Sequence, residues 1–459
     1  MENRSPRFSL WSFREDVYIE TETADETVVI HSPWGELRLP RPSPAVLEAL
    51  RRMSLGPISL ENVIDTRQDR ADLDLLLDRL QHLVVRSFGD DQGRPLISVV
   101  PIAREARFGL GTPVLELPVR LSKYVMLRTD GNDYCMESPL SLHRVLLHGA
   151  EALSLIGPLC RPANPSSIAP RTRHLVGVLM ATGMVVQAVR GDLLSRVEFA
   201  EDTDPALVGW SPLELMVHTR TTLGRHDYDF GETHRVDDIQ EAEPLVKPPH
   251  SGPSVPLYRP PWDELVASDP PFTTVLEATR HTCDFDIRPL HARELGELLY
   301  RSARIRAGDA ADRPYLSNGR GYELELYVTV NECTGIPRGI YHYDPLEHRL
   351  EHIQADPAGI DRILQDARVA AGLNVAPPAL ITITSRFRRL TWKYESASYS
   401  FVLKNVGMLI QTLSLAGTAI GLATRSLEHV DITSTARLFQ LDWRTESSVG
   451  GLAIGRRAR

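Results

Sequence analysis

Apolar and polar positions along this chain change period several times, and each change marks a different kind of element. From Val17 to Pro40, "VYIETETADETVVIHSPWGELRLP" alternates with period two, which predicts short strands with one buried face. "SPAVLEALRRM" then opens on Ser43-Pro44, a side-chain cap followed by a first-turn proline, and predicts a helix. In "ADLDLLLDRLQHLVVRSF" the residues Leu73, Leu76, Leu77, Leu80 and Leu83 fall on one helical face. A similar order recurs from Tyr124 to Val189: strand "YVMLRT", turn "DGND", strand "YCMES", a helix over "SLHRVLLHGAEALSLI", then "RTRHLVGVLMATGMVVQAV". Residues 1–105 and 106–200 therefore read as two copies of one module, related by element order and hardly by residue identity.

Residues 241–262, "EAEPLVKPPHSGPSVPLYRPPW", are rich in proline, which favours an extended connector over a packed element. They close a segment, 201–262, that precedes a last domain, 263–459. There the periods mix: helices at "TVLEATR" and "HARELGELLYRSARI", strands at "YELELYVTV" and "RGIYHYDPLEHRLEHI", a helix near "AGIDRILQDARVAAGL", strand "PALITITS", a long helix, and a last strand "SVGGLAIG". This mixture predicts an α+β fold on a mostly antiparallel sheet with flanking helices. The two N-terminal modules each resemble a winged-helix unit.

The chain has 459 residues, beyond the size at which one core keeps growing, so two or three domains are expected. With a formal charge of -9, a general nucleic-acid surface is disfavoured, although a local basic site for a phosphate is compatible. Cys135, Cys160, Cys283 and Cys333 lie far apart without CxxC spacing, so neither a zinc cluster nor a disulfide framework is indicated, and a reducing cytoplasm is the default. "MENRSPRFSLWSF" lacks the apolar run of a signal peptide. The apolar run from Ser400 to Ala423 is interrupted by Lys404, Asn405, Gln411 and Thr412, so no membrane span is expected.

The chemistry concentrates in "RRLTWKYESASYSFVLKNVGMLIQT", residues 388–412. Lys393 and Tyr394 stand directly before the long helical pattern, and Lys404 falls within it. Adjacent residues diverge on a strand or helix, so both reach one substrate only at a loop or helix start; Thr391 or Ser396 would cap that start. Lys404 sits in a pattern whose Phe401, Leu403, Val406 and Leu409 make an apolar face, where a buried ammonium would need a partner. In "LGRHDYDFGETHR" Arg225, His226 and Asp227 define no triad, and His348 and His352 lack the HExxH glutamate, so no metal site is expected.

Four segments together resemble the flavin-dependent nitroreductase superfamily, in its SagB-type and cyanobactin-oxidase-like azoline dehydrogenase branch. They are "LMVHTRTTLGRHDYDFGETHR" (215–235), "RPYLSNGRGYELELYVTV" with "GIYHYDPLEHRLEHI" (313–353), "WKYESASYSFVLKNVGMLIQTLSLAGTAIGLA" (392–423) and "ESSVGGLAIG" (446–455). The resemblance implies a C-terminal nitroreductase-like domain binding FMN and a homodimer enclosing each flavin. It also implies N-terminal modules that engage a leader peptide or a cyclodehydratase partner, and oxidation of peptide thiazolines or oxazolines to azoles with oxygen as acceptor.

That reaction removes a proton from the peptide α-carbon and a hydride from the adjacent ring carbon. Lys393 and Tyr394 match the family's proton-removing pair, one as base and the other lowering its pKa or holding the ring, with the assignment open. Their ordinary pKa values near ~10.4 and ~10 must be shifted for efficient transfer at neutral pH. For the cofactor, the resemblance assigns Arg280, His281 and Thr282 to the phosphate segment and Ser317, Asn318 and Gly319 to a turn against the flavin ring. Lys404 is assigned to the site wall or dimer core, and Arg456 to further phosphate charge. Cys283-Asp284 replace an expected second cation, for which Arg425 is a substitute. Two other readings are a flavin oxidoreductase acting on another peptidyl residue or on a small quinone or nitro compound with NAD(P)H, and a scaffold of the peptide-modifying complex that has lost its flavin.

Overall fold

The computed structural model describes residues 9–22, 27–89, 93–110, 117–170, 172–191, 197–239, 241–280, 284–306, 312–427 and 429–458. The chain divides into two compact units, Met1–Tyr228 and Asp229–Arg459. This division precedes the proline-rich stretch, which belongs inside the second unit.

In the first unit the period-two stretch forms the antiparallel strands Tyr18–Thr21, Val28–Ser32 and Gly35–Leu39. Helix Pro44–Leu55 starts as expected, with Ser43 Oγ accepting from the Val46 amide and proline in the first turn. Leu73, Leu76, Leu77, Leu80 and Leu83 are all buried in one core with Val28, Ile30 and Leu50. The two modules are not separate bodies. Strands Ser9–Phe13, Val84–Gly89, Pro95–Pro101, His143–Leu147, Asp133–Glu137 and Met126–Asp130 form one six-stranded sheet, in that order, so the second module extends the sheet of the first.

One element differs in kind from expectation. His143–Leu147 is a strand, with His143, Val145 and Leu147 buried in alternation, and helix resumes only at Gly149, whose φ of 72° breaks the strand. The apolar density of "VLL" conceals this period of two.

The stretch 225–228 seals this unit. Buried Asp227 pairs with Arg14 at 3.0 Å and also with Arg144, while Arg225 donates to the carbonyls of Pro139 and Leu140. Removing the charge leaves Arg14 largely buried with Asp16 as its one remaining counterion among the described residues. Asp227→Asn is therefore expected to destabilise the first unit by about 3 kcal/mol, the lower end for a broken buried pair, measured by denaturant unfolding.

The second unit is built on a seven-stranded antiparallel sheet among the described residues, in the order Ser254–Pro256, Arg349–Ile353, Gly339–Asp344, Leu324–Val330, Ala379–Arg386, Glu446–Arg456, Leu422–Ser426. Alternation along Leu324–Val330 sends Leu324, Leu326, Val328 and Val330 towards the core that holds the long helix Ser398–Ala419 and helix Ala292–Ala303. Tyr327 faces the opposite layer, where helices Pro357–Ala370 and Ile432–Phe439 pack and its ring stacks on Phe439 at 4.5 Å.

The proline-rich stretch is a packed strap and not a free connector. Ser254–Pro256 adds an edge strand, where proline is tolerated because the outward side of the ladder is unused. Lys247 Nζ reaches Tyr327 Oη at 2.6 Å and Glu446 Oε2 at 2.5 Å, and the His250 amide donates to Glu351 Oε2 at 2.9 Å. No helix of the described residues is long and apolar enough to cross a membrane.

Candidate functional site

Strand Ala379–Arg386 ends against a short helix, Arg388–Thr391, and the chain must turn before the long helix starts at Ser398. The amides of Lys393 and Tyr394 both bond to the Leu390 carbonyl, at 3.0 and 2.9 Å, so the pair occupies the last residues of a tight turn. Neither Thr391 nor Ser396 caps the long helix. Ala397 is its N-cap residue without a side-chain bond, and Ser398 Oγ instead donates to the Tyr394 carbonyl at 2.8 Å.

At this turn the two side chains converge on one atom. Lys393 Nζ donates to Glu232 Oε1 at 3.0 Å, and Tyr394 Oη approaches the same oxygen at 3.4 Å. Lys393 Nζ also lies 3.4 Å from the Gly319 carbonyl. Tyr394 is 9% exposed, with its ring edge-on to Phe401 at 5.0 Å. Burial raises the phenol above its ordinary pKa, and the nearby Glu232 carboxylate raises it further. Glu232 moves the other way, held below the usual carboxylate range chiefly by its hydrogen bond from Lys393.

The Ser317–Gly319 turn is locked to the same place. Asn405 is buried in the long helix, and its Oδ1 accepts from the Asn318 amide at 2.8 Å and from Asn318 Nδ2 at 3.0 Å. Its Nδ2 donates to Ser317 Oγ at 3.3 Å and to Glu323 Oε1 at 3.0 Å. Gly319 has a φ of 66°, and a Cβ there would stand 2.3 Å from Tyr394 Oη, so the turn requires glycine on both conformational and steric grounds. Glu323 is fully buried, which raises its pKa, and its Oε2 has no hydrogen-bond partner among the described residues.

Lys404 is not the buried ammonium its pattern allowed. It is exposed, with Nζ 5.5 Å from the ring of Phe401, which in turn packs on Tyr394. The helix rotates Asn405 inward and leaves Lys404, Leu403 and Gln411 outward.

A second locus forms thirteen residues beyond Asn405, about 20 Å along the helix axis at ~1.5 Å per residue. Here Thr418 Oγ1 meets Thr279 Oγ1 at 3.1 Å, placing the exposed Arg280 next in sequence. Phe285 bridges to Arg457, and the Arg457 amide bonds to the Gly421 carbonyl at 3.4 Å, so the segment around Arg280 and the end of the last strand share this region. His281 and Thr282 lie outside the described residues.

Two expected cations differ. Arg456 is engaged by Glu294 through contacts of 3.0 and 2.8 Å, so its charge is already matched. Arg425 is on the other face of the sheet from the long helix: Thr424 faces Gly417, whereas Arg425 Nε donates to the Ala371 carbonyl at 3.0 Å. Strand alternation makes this separation unavoidable.

Sequence reasoning missed Glu232, Asn405 and Glu323 as members of the site. Glu232 lies in the 215–235 segment, 161 residues from Lys393, and nothing local in sequence joins the two. His348 bonds to Tyr343 Oη at 2.8 Å and to the Tyr258 carbonyl at 2.9 Å, and the His352 ring lies edge-on to Tyr341 at 5.3 Å. Among the described residues no group of three His, Cys, Asp or Glu is placed to hold a metal ion.

Comparison with known proteins is consistent with both units. Residues 119–227 match the cyanobactin oxidase ThcOx family, and residues 325–456 match the nitroreductase family. The MJ1384 protein of Methanocaldococcus jannaschii, named as a nitroreductase, is 29% identical over 153 residues, covering 33% of this chain and 76% of that protein. The trifolitoxin-processing protein TfxB of Rhizobium leguminosarum bv. trifolii is 27% identical over 143 residues, which span 30% of this chain and 38% of TfxB. Among solved structures, a protein of Anabaena variabilis named as a nitroreductase aligns over 99% of this chain and 80% of its own, with 15% identity and a TM-score of 0.39. The E. coli microcin synthetase McbBCD complex aligns over 50% of this chain and 82% of its own, with 20% identity and a TM-score of 0.36.

Proposed function

We propose that this chain, which joins a cyanobactin-oxidase segment to a nitroreductase-family domain, oxidises thiazoline or oxazoline rings of a modified precursor peptide to azoles. The observation that carries the reading is the convergence of Lys393 and Tyr394 on one carboxylate oxygen beside the Ser317–Gly319 turn. Azole formation needs a group to take the α-proton, and a flavoprotein that only reduces small molecules has no need of such a pair. The resemblance to a trifolitoxin-processing protein supports a peptide as substrate.

The residues fit FMN. Exposed Arg280 and Arg457 give the far locus the cationic character a phosphate requires, and the Asn318-Gly319 backbone, locked by Asn405, offers polar groups at the near one. When bound, FMN supplies the acceptor for the hydride of the ring carbon, with oxygen as the final electron acceptor. The chain's own part is to hold the peptide ring against the Lys393–Tyr394 turn and to move the α-proton. Exposed Tyr399 and Leu403 on the long helix, 49% and 48% accessible, fit a second copy of the chain. A cyclodehydratase that makes the azoline is the partner the substrate chemistry demands.

The test is mass spectrometry of a precursor peptide co-expressed with its cyclodehydratase. Each ring should lose two hydrogens only when this protein is present. Rapid bleaching of a bound flavin by NADPH, without peptide and without azole formation, would instead establish a small-molecule reductase of the kind named among its nitroreductase relatives.

A further inference from the structure

Residues 232–235 do more than pass near the Lys393–Tyr394 turn. The Thr233 and His234 amides both bond to the Lys393 carbonyl, at 2.8 and 3.3 Å. The His234 ring lies edge-on to Trp392 at 4.6 Å, with a left-handed backbone at φ 50°, and Arg235 pairs with Glu395 at 3.4 Å. Four successive residues of one segment thus grip four successive residues of the other. The grip holds the Glu232 backbone beside the turn, and the carboxylate itself is held by Lys393 Nζ at 3.0 Å, Tyr394 Oη at 3.4 Å and His234 Nε2 at 3.4 Å.

Resting on the reading above, we propose that Glu232 is a positioning residue that divides the pair: Tyr394 is kept as the proton-bearing hydrogen-bond donor, and Lys393 is the member that exchanges the substrate's proton. A carboxylate sharing one oxygen between a phenol and an ammonium disfavours a phenolate, which would put a second anion beside it. Burial and the Glu232 charge both act in that direction on Tyr394. Lys393 Nζ, 3.0 Å from the half-exposed Glu232 carboxylate, gives up its own proton to solvent by way of that carboxylate within the turnover step itself. The amine then takes the α-proton of the ring. The C–H bond breaks, an N–H bond forms, and the electron pair stays in the ring as part of the new double bond, the hydride acceptor being the flavin already named. Among the described residues, the other titratable and charged groups beside this cluster are His234, Nε2 of which is 3.4 Å from Glu232 Oε2, with Asp237, Arg235 and Glu395 on the packed segments.

The experiment compares wild type, Glu232→Gln and Tyr394→Phe, each with bound flavin. Ultraviolet titration, with the Tyr394→Phe curve subtracted, isolates the ionisation of Tyr394 and requires no substrate. In Glu232→Gln that ionisation should move to lower pH, and the alkaline fall of kcat/KM should move with it, while kcat drops about 10-fold and the melting temperature stays that of wild type. Tyr394→Phe should lose the alkaline limb altogether. An unchanged Tyr394 titration in a folded Glu232→Gln protein overturns the inference even if the rate falls. A shifted titration in a protein that forms no azole overturns the proposed reaction and leaves the role of Glu232 standing.

Discussion

Replacing Lys393 by alanine is expected to lower azole formation about 1,000-fold, and Tyr394→Phe about 100-fold, with flavin content unchanged in both. These magnitudes lie within the 10²–10⁴ range for a positioned proton-transfer group. The difference between them follows from the geometry. Lys393 exchanges the proton, so its loss leaves only solvent as acceptor, whereas Tyr394→Phe removes a hydrogen-bond donor but preserves the ring that packs on Phe401 and covers Gly319. The measurement is single-turnover conversion of a synthetic azoline peptide, with flavin absorbance read on the same samples. Wild-type rates in both variants would remove the pair from the mechanism.

The second large effect concerns stability. Under the proline-rich strap, Glu325 and His342 are 1% and 2% exposed in their side chains and meet at 3.0 Å. His342 also reaches Glu351 at 3.4 Å, and Arg386 forms an ion pair with Glu325 at 3.1 Å without hydrogen-bond alignment. Arg386 in addition donates to the strap carbonyls of Pro244 and Leu245 at 2.7 and 3.2 Å. Arg386→Met strands part of a buried carboxylate's charge and frees the strap. It is expected to cost about 3–5 kcal/mol, read as faster hydrogen exchange across Leu324–Val330.

The same network gives the second unit a pH optimum. Burial opposes a charged His342, but the bonds to Glu325 and Glu351 outweigh it and raise its pKa. A raised group stabilises fully below its unfolded value, near ~6.5, and that contribution is lost as the pH rises through the folded value. Burial lowers His348 to about 4 and lowers His250 as well, so their contributions are lost as the pH falls below ~6.5. The carboxylates act further down: Glu351 is held at about 2, burial opposing and the bonds from His342 and the His250 amide prevailing, so its contribution fades below ~4.5. Stability of the second unit should therefore peak near pH ~6.5 and fall on both sides. In His342→Gln the alkaline fall should disappear while the acid fall remains.

Much of this molecule was legible in its sequence because the signals are local. Period-two alternation gave the hairpins, a Ser-Pro start gave the first helix, and a long apolar run gave the helix Ser398–Ala419. The placement of Lys393 and Tyr394 at a turn before that helix followed from the inability of neighbours to face one way on a regular element. Where two periods overlapped, as in "HRVLLHG", local density misled. Where proline suggested a free connector, the strap was held by Lys247 and His250, whose partners are about 80 to 200 residues away.

What the tertiary structure alone decided is which charges share a site. Strand alternation sent Arg425 to the far face, Glu294 claimed Arg456, and a helix rotation of one residue exchanged Lys404 for Asn405 at the turn. Glu232 joined the pair only because its segment bonds to the Lys393 backbone. Propensity and periodicity are written into neighbouring residues, so the sequence by itself determined the elements and the candidate pair. Coulombic and hydrogen-bond partnerships depend on distances of about 3 Å between residues remote in sequence, and only the packing of the sheet and its helices sets those distances.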